Sequence, residues 1–322
     1  MNVLLTSAGR RTSLLQAIRE AVSPLGGQVI GADLDPLAPA LYLADVAEQV
    51  PRVTDAAYIP RLLDIVARYQ VRLLVPTIDT ELQVLAEAQG RFADQGCRVH
   101  ISSPEFVQIT GDKWLTMQAF ADHRITVPPS WLPENLPAPD TLPERLFLKP
   151  RDGSASMHTY GIHRDELHKT LTRVPNAIIQ KEMHGPEITI DAFIAQDGRP
   201  IHFVPRRRIR TLGGESIQGV TLSSNDHLGE WLTKVLNVAG SLGARGAITL
   251  QAFDTAEGYF LSEINPRFGG GYPLGYAAGG RYPQWLLEEI QGRTVESRLG
   301  DYRVGMYMTR TNTEIFTETP KW

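Results

Sequence analysis

Three side chains with oxygen atoms fall on one face of two predicted strands late in the chain. Glu263 and Asn265 are two residues apart in the predicted strand Tyr259–Asn265, so both project to the same side. If this strand pairs with Ala247–Phe253 through a short turn, Gln251 lies diagonally opposite Glu263. Carboxylate and amide oxygens are the ligands that magnesium prefers. The pattern predicts a magnesium site that needs a further anionic ligand; a solvent-facing polar strand is the alternative.

Arginines alternate along another predicted strand. Because alternate residues of a strand share a face, Arg206, Arg208 and Arg210 are expected to form one basic stripe, while Arg207 points away. Guanidinium groups bind phosphate and carboxylate through two parallel hydrogen bonds. The stripe and Arg267 are therefore candidates for holding a transferred phosphate or a substrate carboxylate, with Arg208 and Arg267 expected to act in catalysis. Solvated charges on an edge strand are the alternative.

Two lysines and a glycine run are further candidates for binding an anion. Lys149 ends a predicted strand and opens a loop, and Lys113 lies on a predicted helix. Each is a point charge on a flexible stem that reaches a ligand without crowding it. Gly269–Gly271, with Gly270 at its centre, allows close approach of the backbone to an anion. Ordinary surface lysines and a simple turn are the alternatives.

The front of the chain has polar loops where predicted parallel strands end, which is where open α/β sheets bind ligands. These loops are Ser7–Arg11, Asp33–Asp35 and Thr77–Glu81. Thr6–Arg11 contains a single glycine, whereas a dinucleotide fingerprint requires several, so the pattern argues against a dinucleotide site. The candidate ligand-binding residues here are Arg10, Arg11, Asp79 and Glu81.

These candidates require a layered scaffold of helices and strands. In the first hundred residues, short apolar runs alternate with segments of helical periodicity, which predicts a mostly parallel sheet covered on both faces. The predicted strands are Val3–Thr6, Val29–Ala32, Leu73–Pro76 and Arg98–Ile101, and the predicted helices are Thr12–Val22, Ile59–Tyr69 and Thr80–Asp94.

The rest of the chain has a different organisation. After a helix at Asp112–His123, a proline-rich connection from Val127 to Pro143 marks a boundary, beyond which predicted strands dominate. The pattern predicts a Rossmann-like front and an α+β back. The predicted strands are Leu146–Lys149, Ala177–Gln180, Glu187–Ala195, Ile201–Arg208, Ala247–Phe253 and Tyr259–Asn265, and the helices are Glu230–Leu242 and Gln284–Gln291.

Several of these segments, in this order along the chain, resemble the ATP-grasp enzymes. They are Gly111–Thr116, Phe147–Ser154, Ile179–Glu187 and Leu261–Arg267 with the glycine run that follows it. The likeness is greatest to the short relatives of the carbamoyl-phosphate synthetase large chain that act as carboxylate–amine ligases. It covers nearly the whole chain and implies an ATP-grasp fold, α/β and α+β, with an N-terminal Rossmann-like pre-ATP-grasp domain.

The resemblance also implies three domains and their sites. The N-terminal domain is expected at residues 1–109, a central lid subdomain at 110–185, and a C-terminal subdomain with the metal site at 186–322. The implied ATP-binding residues are Lys113, Lys149, Ser154, Glu182, Met183 and Glu187, and Lys149 is also expected to act in catalysis, together with Arg208 and Arg267. The implied metal ligands are Gln251, Glu263 and Asn265, and the implied substrate-binding residues are Arg10, Arg11, Asp79, Glu81, Arg206 and Gly270.

The implied chemistry is ligation of a carboxylic acid to an amine, or to a thiol. ATP and magnesium, with manganese as an alternative to magnesium, would activate the acid as an acyl phosphate and release ADP and phosphate. A kinase-like phosphotransferase on the same fold and a non-catalytic nucleotide-binding module are the alternatives. The sequence leaves the identity of the acid and of the amine open.

Composition excludes several classes of function and partner. The chain of 322 residues has a formal net charge of -4, which gives no electrostatic case for a nucleic-acid or membrane partner. No apolar run approaches the roughly 20 residues that span a bilayer. The single cysteine, Cys97, excludes a disulfide framework within the chain. Small molecules are the expected partners, a homodimer is left open, and a cytoplasmic location is expected.

Overall fold

The computed structural model describes residues 1–153, 158–212, 215–224 and 226–322. Within these ranges, three β-sheets follow one another along the chain. They are called here the front, middle and rear sheets. None of the helices in the described part of the chain is long and apolar enough to cross a lipid bilayer.

The front sheet is parallel, with strand order β3-β2-β1-β4-β5. This confirms the parallel sheet predicted from the alternating pattern. Its strands are β1 (Asn2–Leu5), β2 (Val29–Asp33), β3 (Val46–Gln49), β4 (Val71–Val75) and β5 (Arg98–Val99), and its helices are α1 (Thr12–Val22), α2 (Pro39–Leu43), α3 (Tyr58–Tyr69) and α4 (Leu82–Ala93).

Both faces of the front sheet are buried, because successive side chains of a strand point to opposite faces. In β4, Leu73 and Val75 belong to the core beneath α1, whereas Leu74 belongs to the core beneath α3 and α4. Helix α1 buries Leu15 and Ile18, at helical spacing, in the first of these cores. Burial of the apolar side chains on both faces holds the loops at the carboxyl ends of the strands in fixed positions.

The middle sheet is antiparallel and has a small core of its own. Its strand order is β6-β9-β7-β8. Leu146, Leu148, Ile162 and Ile179 are buried in the core beneath it. The elements from the front sheet to the end of this sheet are α5 (Pro104–Gly111), α6 (Lys113–Asp122), β6 (Ser130–Trp131), β7 (Arg145–Pro150), β8 (Tyr160–His163), α7 (Leu167–Leu171) and β9 (Ala177–Lys181).

The rear sheet is antiparallel, with strand order β14-β13-β10-β11-β12-β15. Strands β11, β13 and β14 are longer than the predicted ones, β10 ends one residue earlier than predicted, and β12 and β15 were not expected. The elements of this region are β10 (Glu187–Ile194), β11 (Pro200–Leu212), β12 (Glu215–Thr221), α8 (Asp226–Ser241), β13 (Gly246–Thr255), β14 (Gly258–Asn265), α9 (Tyr272–Ala278), α10 (Tyr282–Ile290) and β15 (Tyr307–Thr309).

The two faces of the rear sheet differ in polarity. One face carries Ile188 and Ile190 and packs against Leu232 and Leu236 of α8. Phe120 of α6 is buried in the same core, so α6 packs on the rear sheet. The boundary between an N-terminal domain ending at residue 109 and a central subdomain stays a prediction. The opposite face is apolar at Phe193 and Ala247, which join the core beneath α1, and polar where it borders a cleft shared with Arg11 of a front loop.

Candidate functional site

A row of polar side chains crosses the polar face of the rear sheet. Glu263 of β14 is paired with Gln251 of β13, which is paired with Thr189 of β10, which is paired with Arg206 of β11. All four line one cleft, with a volume of about 280 Å³, between the rear sheet and the front loops. Directly paired residues of neighbouring antiparallel strands lie side by side. The sheet therefore presents acid, amide, hydroxyl and guanidinium groups to one space.

The pairing of Gln251 with Glu263 differs from the diagonal arrangement expected from the sequence. The hairpin closes at Thr255 and Gly258, and this register alone would place Gln251 opposite Ser262. A β-bulge between Gln251 and the following residue shifts the pairing by one position. The bulge places Glu263 directly beside Gln251, so the two predicted metal ligands are closer in register than expected.

The oxygen-bearing side chains at this end of the row fit a magnesium ion. Asn265 Nδ2 donates a hydrogen bond to Glu263 Oε1 at 3.1 Å, which places the second and third predicted ligands together. The buried hydroxyl of Thr189 has no hydrogen-bond partner among the described residues. Those residues also contain no group of three or more His, Cys, Asp or Glu side chains suited to a metal. The donor set is therefore one acid with neutral oxygens, and it requires an anionic ligand to complete it.

Lys149 lies beside this acid, at the end of β7 in the middle sheet. The pKa of the Lys149 ammonium is lowered to about 8, chiefly by burial; the charge of Lys113 also lowers it, while Glu263 and Glu187 raise it. Burial also raises the pKa of the Glu187 carboxyl, and the neighbouring charge of Glu263 adds to this effect. Two lysines, one at the start of α6 and one near the end of β7, therefore lie close enough to two acids of the rear sheet to interact with them electrostatically.

Lys113 is fixed by the helix end on which it stands. Asp112 caps α6, accepting a hydrogen bond from the amide of Trp114 at 2.8 Å. The same carboxylate forms an ion pair with Arg151 at 2.5 Å. Lys113 Nζ donates to the carbonyl of Gly153 at 2.9 Å. The predicted phosphate-binding residue Ser154 lies outside the described residues.

The segment that joins the middle and rear sheets contains the predicted adenine-binding residues. The amide of Glu182 donates to the carbonyl of Arg145 at 3.1 Å, so it is already used. In the described ranges, no backbone hydrogen bond involves the carbonyl of Glu182 or the amide of Met183. The two groups belong to one trans peptide and point in opposite directions, so this peptide offers either an acceptor or a donor to an adenine edge.

Two arginines of the predicted basic stripe line the cleft, and each has its own carboxylate. Arg206 is 3% exposed and donates to Asp191 at 2.8 and 3.3 Å, and Arg208 donates to Glu187. The third predicted member, Arg210, is exposed and does not line this cleft. A register irregularity between Arg208 and Arg210 breaks the alternation on which the prediction depended. The stripe is therefore shorter than predicted.

Arg267, predicted to act in catalysis, and Asp79, predicted to bind substrate, form an ion pair with each other. The Arg267 guanidinium donates to the two oxygens of Asp79 at 2.7 and 2.6 Å. Arg267 also lies 3.4 Å from the Asn265 oxygen. This contact joins a loop of the front sheet to the end of β14, next to the oxygen-bearing side chains.

Glu81 does not face the cleft, in contrast to the predicted role in substrate binding. Its side chain is fully buried, and its carboxylate accepts hydrogen bonds from the Tyr58 hydroxyl at 2.6 Å, the Ser7 hydroxyl at 3.1 Å and the Thr77 amide at 2.7 Å. Burial raises the pKa of this carboxyl, and those hydrogen bonds lower it. Glu81 therefore holds two front loops together from beneath.

Of the two front-loop arginines predicted to bind substrate, Arg11 lines the cleft and Arg10 does not. The side chain of Arg10 is 79% exposed and lies 3.6 Å from Glu215, whereas Arg11 lines the cleft beside Gly270. Arg310, which sequence analysis missed, lies 3.6 Å from the other oxygen of Glu215 and donates to the carbonyl of Gly270. No local motif marks Arg310, because only the pairing of the late strand β15 with β12 brings it here.

Two family models match separate parts of the chain. The model described as "PylC-like, N-terminal domain" matches residues 3–100. The model described as "ATP-grasp in the biosynthetic pathway with Ter operon" matches residues 173–313. None of the curated proteins matches the chain. The first match spans the front sheet and the second includes all of the rear sheet.

Solved structures with a similar fold include two kinds of enzyme. The biotin carboxylase domain of a Hydrogenobacter thermophilus 2-oxoglutarate carboxylase, in complex with MgADP, ADP and bicarbonate, has a TM-score of 0.76 at 16% identity, over 95% of this chain and 73% of that one. An N5-carboxyaminoimidazole synthetase from Staphylococcus aureus, complexed with ADP, has a TM-score of 0.72 at 13% identity, over 94% and 79%. At these identities the likeness shows the fold, and that fold is the one expected from the sequence.

Proposed function

We propose that this chain, a member of the ATP-grasp superfamily, is an ADP-forming ligase that activates a small carboxylic acid as an acyl phosphate and transfers it to an amine. A thiol is the alternative nucleophile. One observation carries the proposal. Two lysines, Lys113 and Lys149, interact electrostatically with two acids of the rear sheet, Glu187 and Glu263. These four groups lie at the border of a cleft that is rich in arginine elsewhere. An ATP molecule in this position would present its triphosphate to the lysines.

The chain's own groups suit each part of ATP. The peptide between Glu182 and Met183, through its free carbonyl or its free amide, is proposed to bind the adenine edge. Glu187 stands at the start of β10, where it is proposed to accept hydrogen bonds from the ribose hydroxyls. Lys113 and Lys149 are proposed to neutralise the phosphates.

Gln251, Glu263 and Asn265 are the residues proposed to hold magnesium. When bound, this ion neutralises charge on the phosphate oxygens of ATP and so lowers the barrier to phosphoryl transfer. Manganese takes similar oxygen ligands and is the alternative. A single protein carboxylate in this donor set means that the metal should bind far more tightly with ATP than without it.

The transfer itself requires orientation more than acid or base catalysis. An incoming carboxylate attacks the γ-phosphorus, ADP leaves, and the acyl phosphate is then attacked by the amine with release of phosphate. Arg208 and Arg267 are proposed to orient the carboxylate and the transferred phosphoryl group through bidentate contacts. No side chain of the protein is required as a nucleophile in this sequence of steps. The partners are thus a small acid and a small amine; a homodimer and a cytoplasmic location stay predictions from the sequence.

Trapping the acyl phosphate tests the proposal. The protein would be incubated with magnesium, ATP, hydroxylamine and a panel of carboxylic acids, and both nucleotide and acid products would be identified. The expected products are a hydroxamate of one acid and ADP. Formation of AMP and pyrophosphate would contradict the mechanism. A stable phosphate ester that resists hydroxylamine would instead identify a kinase-like phosphotransferase.

A binding measurement complements the trapping experiment when no acid of the panel is turned over. Calorimetry with a non-hydrolysable ATP analogue is expected to show tight binding that requires magnesium. Failure of the intact protein to bind the analogue would contradict both the ligase and the non-catalytic nucleotide-binding alternatives. Binding without hydroxamate or ADP formation with any acid would favour the non-catalytic alternative.

A further inference from the structure

The part of the cleft around Gly270 has more guanidinium groups than carboxylates. Three of the cleft arginines are each matched by one acid: Arg206 by Asp191, Arg208 by Glu187, and Arg267 by Asp79. These pairs are close to electrically neutral. They leave the groups around Gly270 as the part of the cleft whose charges are not balanced.

The charges that are not balanced in such pairs are arranged around one glycine. The carbonyl of Gly270 accepts a hydrogen bond from Arg310. A Cβ atom placed on Gly270 would lie 3.2 Å from Arg11 Nη1 and 3.9 Å from Glu215 Cγ. We call Arg11, Arg310 and Gly270 the arginine corner. A side chain at position 270 would crowd the Arg11 guanidinium.

The arginine corner has one acid for several cations. Glu215 lies 3.6 Å from both Arg310 and the largely exposed Arg10, so a single carboxylate is shared at a longer distance than in the other pairs. In the described ranges Arg11 has no ion pair with any carboxylate. Its recorded hydrogen bond goes to the neutral carbonyl of Thr77, at 3.3 Å.

Both arginines of the corner are held in place before any ligand arrives. Arg11 lies on the short loop between β1 and α1, which the front sheet fixes, and its guanidinium is tied to Thr77 on the next loop. Arg310 directly follows β15, and its amide donates to the carbonyl of Ile217 at 2.9 Å, continuing the pairing with β12. The pKa of Arg11 is lowered, chiefly by burial; the charges of Arg267 and Arg310 also lower it, whereas Glu215 and Asp79 raise it. Mutual repulsion of fixed cations favours an anion between them.

We propose that the acid substrate carries a second anionic group, a carboxylate or a phosphate, and that Arg11 and Arg310 bind this group at Gly270 while the first carboxylate is activated near Lys149. The inference rests on the proposed ligase function and names its substrate class: an acid with at least two negative charges. Bidentate guanidinium contacts bind planar carboxylates and phosphates alike. A neutral or monoanionic acid would leave the corner without its counter-charge.

Matched anions test this inference without knowledge of the true substrate. The probes are butyrate, succinate and 3-phosphonopropionate, which have similar chain lengths and differ in the second group. Their binding to the intact protein would be measured by calorimetry with magnesium and ADP present and with ionic strength held constant. Succinate or 3-phosphonopropionate is expected to bind at least about tenfold more tightly than butyrate. The probe that binds more tightly of these two shows whether the site prefers a carboxylate or a phosphate as the second anionic group.

Variants then assign the preference to the corner. Arg11→Gln and Arg310→Gln are each expected to reduce the preference for the dianions to about threefold or less, and Arg11→Lys to keep part of it. Arg207→Gln removes an exposed arginine of β11 and is the control, with an unchanged preference expected. The melting temperature of each variant shows whether it is folded.

The outcomes separate this inference from the proposed function. Equal binding of all three probes, binding of none, or a dianion preference that persists in folded Arg11→Gln and Arg310→Gln variants would overturn the inference. If the ATP analogue still binds in that case, the ligase proposal is unaffected. If the intact protein fails to bind the ATP analogue, the proposed function itself is wrong.

Discussion

The carboxylate of Asp79 and the guanidinium of Arg267 are joined by two hydrogen bonds, of 2.7 and 2.6 Å, across the junction between the front sheet and the rear sheet. The two residues are 188 positions apart in the chain. The Arg267 side chain is 12% exposed and the Asp79 side chain 34%, so the contact is partly shielded from water. Asp79 therefore positions Arg267 beside Asn265, and it fixes the front loop at the same time.

Neutralising Asp79 is expected to weaken this junction. Asp79→Asn should lower the melting temperature by about 2 to 4 °C, because a partly exposed ion pair contributes about 1 kcal/mol. A double-mutant cycle with Arg267→Gln measures the coupling between the two side chains. Asp94→Asn, at an exposed aspartate that follows α4, is the control. An unchanged melting temperature with an increased KM for the acid would show that Asp79 contacts substrate instead.

The lowered pKa of Lys149 predicts a pH dependence of nucleotide binding. Burial lowers this pKa to about 8, so in the free protein the ammonium is charged below that pH and loses its charge as the pH rises through it. Because the charged form binds phosphate, the affinity for an ATP analogue should fall by about tenfold between about pH 7.5 and about pH 9.5. Lys149→Arg should remove this dependence, since an arginine stays charged over that range.

The loss of the Lys149 charge should have a matching effect at neutral pH. Lys149→Ala is expected to weaken binding of the ATP analogue by about 1.5–3 kcal/mol, the value of a charged hydrogen bond. Lys169→Ala, at an exposed lysine of α7, is the control. Equal affinity in Lys149→Ala and in the unmodified protein would mean that this lysine does not contact the nucleotide.

Removing the charge of Glu263 tests the proposed metal ligands. Glu263→Gln should reduce ADP release by about a hundredfold or more while the melting temperature stays the same, since the amide keeps the shape of the side chain. An amide oxygen can also still accept the hydrogen bond from Asn265. Glu257→Gln, at an exposed position in the turn between β13 and β14, is the control. Full activity of Glu263→Gln at saturating magnesium would remove the metal assignment.

The buried position of Glu81 predicts a loss of stability. Glu81→Ala would leave the Thr77 amide and the Tyr58 hydroxyl without their acceptor, so unfolding in urea should show a loss of about 2 to 4 kcal/mol. Tyr58→Phe removes one of these donors and should cost about 1 kcal/mol. Glu87→Ala, at an exposed position of α4, is the control. A stable Glu81→Ala variant with an increased KM would restore the role in substrate binding.

Local patterns predicted the secondary-structure elements better than the contacts between them. The periodicity of Thr12–Val22 gave both ends of α1, because a helix buries residues at a spacing visible in the sequence. The direct pairing of Gln251 with Glu263 depends on a bulge that no residue type marks. The position of Arg310 depends on the pairing of two distant strands, and the burial of Glu81 depends on Tyr58, from a separate helix. Such contacts between distant segments are decided by packing.

The middle sheet has the smallest of the four apolar clusters formed by the described residues. A small core gives a low free energy of local opening, so the middle sheet is expected to unfold as a unit before the rear sheet does. Its amide protons should then exchange with solvent faster than those of β10 and β13. Lys149 lies next to the last residue of β7 in this sheet. A bound nucleotide would therefore slow the exchange, because ligand binding stabilises the folded form of the whole middle sheet.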